Sequence, residues 1–132
     1  MKPPFDPSRV VAEFAQVLRT YGCDRLHGDR FAYGFVTEAF RACGISYAPC
    51  ARSKSELYLS LLPLLMAGRV ELPDDPRLIE QLHGLERRAG AAGRDGVDHG
   101  RAGHDDRINA VAGACVLTYN EASRPEMKIT TL

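Results

Sequence analysis

Apolar residues recur along this chain at steps of three and four, and each such stretch is bounded by a capping residue, a proline or a glycine. Val10, Val11, Phe14, Val17, Leu18 and Tyr21 line one face of a helix that Asp6-Pro7 opens and Gly22 ends. Cys23 to Gly28 reads as a short strand whose alternation puts Leu26 on one face and Arg25, His27 and Asp29 on the other. A second helix, Tyr33 to Cys43, carries Val36, Ala39, Phe40 and Cys43 and stops at Gly44, and Ile45 to Ala48 follows as a strand closed by Pro49. Strand, helix, strand in that order implies a right-handed crossover and parallel pairing. Ser53-Lys54-Ser55-Glu56 is a capping box ahead of Leu57, Tyr58, Leu61, Leu62 and Leu65, and Pro63 is expected to end or kink that helix one turn early. After a brief extended piece, Arg69 to Leu72, Pro73-Asp74-Asp75-Pro76 starts a fourth helix bearing Leu78, Ile79, Leu82 and Leu85, weakened by Gly84. The last stripe, Ile108, Val111, Ala112, Cys115 and Tyr119, predicts a fifth helix. The tail 120–132 has no periodicity and is expected to fray.

Composition narrows the class without naming a function. At 132 residues the chain is one domain at most, and 17 basic against 17 acidic residues leave no net charge, so any nucleic-acid contact must come from a local patch. Fourteen of the basic residues are arginine, which suits bidentate phosphate contacts and equally suits a GC-rich coding bias. Cys23, Cys43, Cys50 and Cys115 lack metal-ligand spacing and read as reduced, small apolar residues of a cytosolic protein. The apolar run Leu57 to Met66 is too short to span a bilayer. No membrane partner is expected.

Candidate chemistry gathers around Gly103-His104-Asp105-Asp106, at the start of the fifth helix. Two aspartates there are explained by helix capping and the positive end of the helix dipole. They equally suit a metal site of hard oxygen ligands, with His99 and His104 nearby in sequence. Upstream lies the glycine-rich stretch Gly90 to Gly103, which holds Arg94 and Arg101 and offers Val97-Asp98-His99 as an edge strand. It is either a DNA-contacting loop or a flexible connection. Asp29, at the carboxyl end of the first strand, is either a turn or cap former or a site residue where open α/β sheets bind their ligands. Lys54 is either a phosphate contact or a solvated first-turn lysine.

An ordered series of segments resembles the C-terminal nuclease domain of phage terminase large subunits. The series runs Tyr21-Gly22, Gly28 to Ala32, Gly44-Ile45, Lys54 to Tyr58, Leu72-Pro73-Asp74, Gln81-Leu82, Leu85 to Arg88, Val97-Asp98-His99, Gly103 to Asp106 and Asn109 to Gly113. It covers roughly residues 5 to 118, and its order rather than any one piece is specific. The resemblance implies an α/β, ribonuclease-H-like fold, here incomplete: a short, mainly parallel sheet flanked by about five helices, with the first β-meander absent. Residues 1–119 would form the partial nuclease domain. It also implies a divalent-metal-dependent DNA endonuclease of genome packaging, using Mg²⁺ or Mn²⁺, two ions in the complete domain. Its partners would be double-stranded DNA, the small terminase and the portal, in the bacterial host cytoplasm. Asp29, Asp105 and Asp106 would be the catalytic metal ligands, sharing one ion, with His104 auxiliary and Lys54, Arg94 and Arg101 on DNA.

Two departures from that family qualify the expectation. Only Met1 to Phe5 precede the first helix, too few for a meander carrying the first catalytic aspartate, so the chain alone is expected to bind metal weakly and not to cut DNA. Arg107 places a large cation next to the proposed ligands. The competing readings are a non-catalytic interaction module that binds other packaging subunits through an exposed sheet edge, and a fragment of another ribonuclease-H-like nuclease such as a resolvase or transposase.

Overall fold

Asp6 opens the first helix: its side chain accepts the Ser8 N–H at 2.9 Å, and Pro7 takes the first helical position. The computed structural model describes residues 6–30, 33–89, 95–100 and 103–122. It divides into two compact units, Met1–Ala51 and Arg52–Leu132. Met1 to Phe5, Arg94, Arg101 and the tail beyond Ala122 lie outside the described residues.

The first unit contains α1 (Pro7–Thr20), β1 (Arg25–Gly28), α2 (Tyr33–Ala42) and β2 (Ser46–Pro49). Gly22 and Gly44, both at positive φ, end the two helices where the sequence placed their stops. In each case the next residue reaches back: the Cys23 N–H donates to Leu18 at 2.9 Å and the Ile45 N–H to Phe40 at 3.0 Å. β1 and β2 pair in parallel, as the crossover required, with Leu26 opposite Tyr47. Val11, Ala15, Phe40 and Ile45 form the core, ringed by Leu18, Leu26, Val36, Ala39, Cys43 and Tyr47. The Tyr47 ring stacks on Phe40 at 5.9 Å, and its hydroxyl donates to the backbone carbonyl of Asp29 at 2.7 Å. That ring lies against Gly28 so closely that a Cβ there would collide with the Tyr47 hydroxyl. Gly28 thus lets Tyr47 hold the backbone at the carboxyl end of β1. The predicted stripe of α1 is only partly buried, since Phe14, Val17 and Tyr21 are exposed and Ala15 takes the core position instead.

The second unit contains α3 (Lys54–Met66), α4 (Pro76–His83), β3 (Leu85–Ala89), β4 (Asp95–His99) and α5 (Asp106–Ala122). Ser53 and Glu56 form the expected reciprocal capping box. The helix does not end at Pro63. It runs on to Met66 and stops only at Gly68, because proline removes one donor while Ala67 still bonds back to Pro63 at 3.0 Å. A second difference concerns Leu85, which is not helical. Gly84 caps α4, and Leu85 begins β3, which pairs antiparallel with β4 in a register setting Leu85 opposite His99. The described strands are therefore one parallel and one antiparallel pair rather than mainly parallel. Apolar spacing cannot separate a helix's last turn from a strand's first residue, and the glycine masked the transition. Helices α3 and α5 pack together, α3 also meets β4, and α4 meets α5. Leu57, Tyr58, Leu61, Leu78, Ile108, Ala112 and Val116 are buried there.

Leu61 and Leu62 belong to the same predicted stripe, yet Leu61 is 1% exposed and Leu62 51%. Leu61→Ala is expected to destabilise the second unit by about 2–5 kcal/mol, and Leu62→Ala by less than about 1 kcal/mol. Urea unfolding of the two variants checks this, and equal losses would contradict the packing.

Candidate metal centre

The Asp-Asp pair divides its two jobs. Asp105 precedes the first turn of α5, where its carbonyl accepts the Asn109 N–H at 2.8 Å, and its side chain is turned inward and buried. Asp106, in the first turn, is exposed. The Asp105 Oδ2 accepts the Tyr58 hydroxyl at 2.8 Å and lies 2.9 Å from the Lys54 ammonium and 3.3 Å from His99 Nδ1. Lys54 also reaches Asp98 Oδ1 at 2.7 Å, and the same oxygen accepts the backbone N–H of His99 at 2.8 Å. Ser55 fixes the hairpin against α3, since its hydroxyl accepts the Val97 N–H at 2.8 Å. Asp98, His99 and Asp105 each offer one ligand atom, all within 4.8 Å of one another. Ligands on opposite sides of a common ion at ~2.1 Å are ~4.2 Å apart, so the spacing of this donor set suits a divalent cation once the Lys54 ammonium leaves the two carboxylates.

Electrostatics bind the set together. Burial works against the charged form of Lys54, but hydrogen bonds to Asp98 and Asp105 outweigh it and raise its pKa. Asp98 is held at about 2, first by the Lys54 hydrogen bond and then by the His99 N–H. Burial would raise the Asp105 pKa, yet the Lys54 and Tyr58 hydrogen bonds win and lower it. The Tyr58 phenol is pushed far above its ordinary range by burial and by Asp105, so it remains a donor.

The predicted site residues are distributed unevenly. Asp105 is at the centre, and Lys54, expected on DNA, is its ion-pair partner. His104 and Asp106 line a neighbouring cavity of about 590 Å³ together with Arg77, Gln81 and His99, so the histidine in the three-residue donor set is His99. Asp29 belongs to the first unit, exposed just past β1. Arg107 lines the same cavity as Asp106 but pairs with a different carboxylate. Its guanidinium is drawn off to Asp75, the cap of α4, and its backbone N–H donates to the Gln81 side chain at 2.9 Å. Sequence reasoning missed Asp98, Tyr58 and Gln81 as site or supporting residues. Val97-Asp98-His99 stood among the matched segments, which was the available signal for Asp98.

The chain matches no protein-family model and no curated protein. It is similar in structure to the large terminase nuclease of thermophilic phage G20c, with a TM-score of 0.67 and 27% identity over 81% of this chain and 60% of that one. The same nuclease with bound magnesium matches at TM-score 0.67 and 28% identity, over 81% of this chain and 59% of that one. It has also been solved with bound cobalt. The large terminase of bacteriophage HK97 shares the fold at TM-score 0.62 and 22% identity, covering 83% of this chain and 25% of that one. The resemblance to phage terminase nuclease domains and the mixed α/β, ribonuclease-H-like fold it implied therefore both stand. The chain spans about 60% of the G20c nuclease it matches. Among the described residues no helix is long and apolar enough to cross a membrane.

A carboxyl whose folded pKa lies below its unfolded value contributes stability that is present above the unfolded pKa and lost as pH falls through the folded one. For Asp98 that window runs from about 4, the ordinary aspartate value, down to about 2, and Asp105 shifts in the same direction. The thermal midpoint of the second unit is expected to drop across this window, with Lys54→Gln flattening the dependence. Melts followed by circular dichroism test it. An equally steep profile in the variant would contradict the role given to Lys54.

Proposed function

We propose that this chain contributes to a metal-dependent DNA endonuclease of phage genome packaging, with Asp105 as its central metal-binding carboxylate. The observation carrying the proposal is the convergence of buried Asp105 with Asp98 and His99 in a chain sharing its fold with terminase nucleases solved with magnesium and with cobalt. The chemistry a bound divalent metal supplies is activation of water and stabilisation of the leaving oxygen in phosphodiester hydrolysis. Asp98 and Asp105 offer oxygen ligands and His99 a nitrogen, a mixed set that Mn²⁺ accepts more readily than Mg²⁺. Tyr58 keeps Asp105 ionised and aimed.

Asp29 and Asp106 are assigned as further catalytic carboxylates and His104 as an auxiliary ligand, on their match to the terminase pattern. Arg94 and Arg101 are assigned to DNA on the same ground. Double-stranded DNA as substrate, the small terminase and portal as partners, the host cytoplasm as location and a two-ion mechanism belong to the same proposal.

The test combines Mn²⁺ binding with plasmid nicking. The chain alone is expected to bind Mn²⁺ and leave supercoiled plasmid intact, because the described residues gather ligands for one ion while in-line cleavage uses two. A fusion to the part of the G20c nuclease that the match leaves uncovered is expected to nick plasmid with Mn²⁺ or Mg²⁺, and Asp29→Ala or Asp105→Ala to abolish nicking. A fusion that folds yet never nicks, or nicking indifferent to Asp105→Ala, would overturn the assignment.

A further inference from the structure

The oxygens that would ligate a metal are already occupied by a positive charge from the protein itself. Asp98 Oδ1 takes the Lys54 ammonium at 2.7 Å, and Asp105 Oδ2 takes it at 2.9 Å. We infer that Lys54 is the resident cation of this centre and that a divalent ion enters only by displacing its ammonium from Asp98 and Asp105. The inference rests on the metal-binding reading above and adds its regulation: the chain carries a built-in competitor for its own metal.

Two charges cannot share the position. An ammonium and a divalent ion on the same two oxygens would stand roughly 3 Å apart and repel strongly at the low effective dielectric of a part-buried site. With Lys54 in place, two carboxylates less one ammonium leave a single negative charge to attract a divalent ion. With Lys54 withdrawn the pair presents two. The lysine, moreover, is the member free to leave. Its side chain is 35% exposed against 12% for Asp105. It also stands at the first position of α3, where the positive end of the helix dipole disfavours a cation. Asp105 cannot follow, because Tyr58 holds it and its backbone begins α5. Metal entry therefore swings Lys54 toward solvent and frees His99 Nδ1 from its hydrogen bond to Asp98 at 2.9 Å and its contact with Asp105 at 3.3 Å.

Calorimetric titration of the full 132-residue chain with MnCl₂ tests this in the parent, Lys54→Gln, Lys54→Arg and Asp105→Asn. Lys54→Gln is expected to bind Mn²⁺ about tenfold more tightly or better, since it removes a like charge from the site. Lys54→Arg keeps the charge and is expected to stay within about threefold of the parent. Asp105→Asn is expected to lose binding. Binding that needs Asp105 but is no tighter in Lys54→Gln would overturn the inference and leave the metal site standing. Absence of binding in both parent and Lys54→Gln would overturn the two together. Should Lys54→Gln fail to fold, brief reductive methylation of the parent, read by peptide mass mapping, gives an independent answer. Lys54 is expected to be protected in chelator and reactive at saturating Mg²⁺, and unchanged protection would overturn the inference.

Discussion

A carboxylate that is buried and still charged governs the second unit. Asp105 is 9% exposed, and an ionised group so placed is costly unless every lone pair is engaged. Three sources meet that demand. The start of α5 offers its helix dipole, Tyr58 offers a neutral donor, and Lys54 offers a full positive charge. Lys54 and Tyr58 stand four residues apart, so they project from one face of α3 one turn above the other. The packing of α3 against α5 is thereby an electrostatic match as well as an apolar one. Sliding either helix by a turn would leave the carboxylate with neither partner.

The first turn of α3 concentrates several obligations in consecutive residues. Ser53 and Glu56 satisfy each other's backbone donors, Lys54 bridges two carboxylates, and Ser55 accepts the Val97 N–H of β4. An edge strand normally leaves such donors to water or to another chain. Tying one to α3 anchors β4 beside the helix, which is how Asp98 and His99 come to share space with Asp105. The start of α5 is also held by α4. Gln81 of α4 accepts two N–H groups from the first turn of α5 while Asp75, the α4 cap, holds Arg107. Both flanks of the carboxylate are therefore set by polar side chains of neighbouring helices.

These relations explain what the sequence did and did not reveal. Caps, stops and the parallel crossover were legible because each depends on a few adjacent residues: Asp6-Pro7, the glycines at positions 22 and 44, and the Ser53–Glu56 box. The hairpin was obscured since Leu85 fits the α4 stripe as well as the β3 register, and burial of a neighbour decides between them. The partner of Arg107 was hidden for a related reason. Adjacency in sequence placed its charge beside Asp105, whereas a long side chain reaches a partner 32 residues away. The network around Asp105 was least legible. Lys54 looks like any first-turn lysine and Tyr58 like any core aromatic until α5 is placed beside them. His99 stood out by its nearness in sequence to the Asp-Asp pair, and only the ordered resemblance hinted that Asp98 belonged with it.

A polar network of this kind is not required for stability. Well-packed apolar residues commonly do as well as a buried ion pair or better, so the presence of one is weak evidence that it serves the fold. Its surroundings point the other way. His99 lines the 590 Å³ cavity and also belongs to the donor set, so the cluster has a solvent-accessible wall rather than a sealed one. Lys54 remains partly exposed, and Asp106 and His104 face the same cavity without joining the inner hydrogen bonds around Asp105. A network serving the fold alone gains nothing from an open side, because water entering there weakens every charge interaction inside. The proposed ion-binding role needs that opening, along with oxygens kept ionised to low pH.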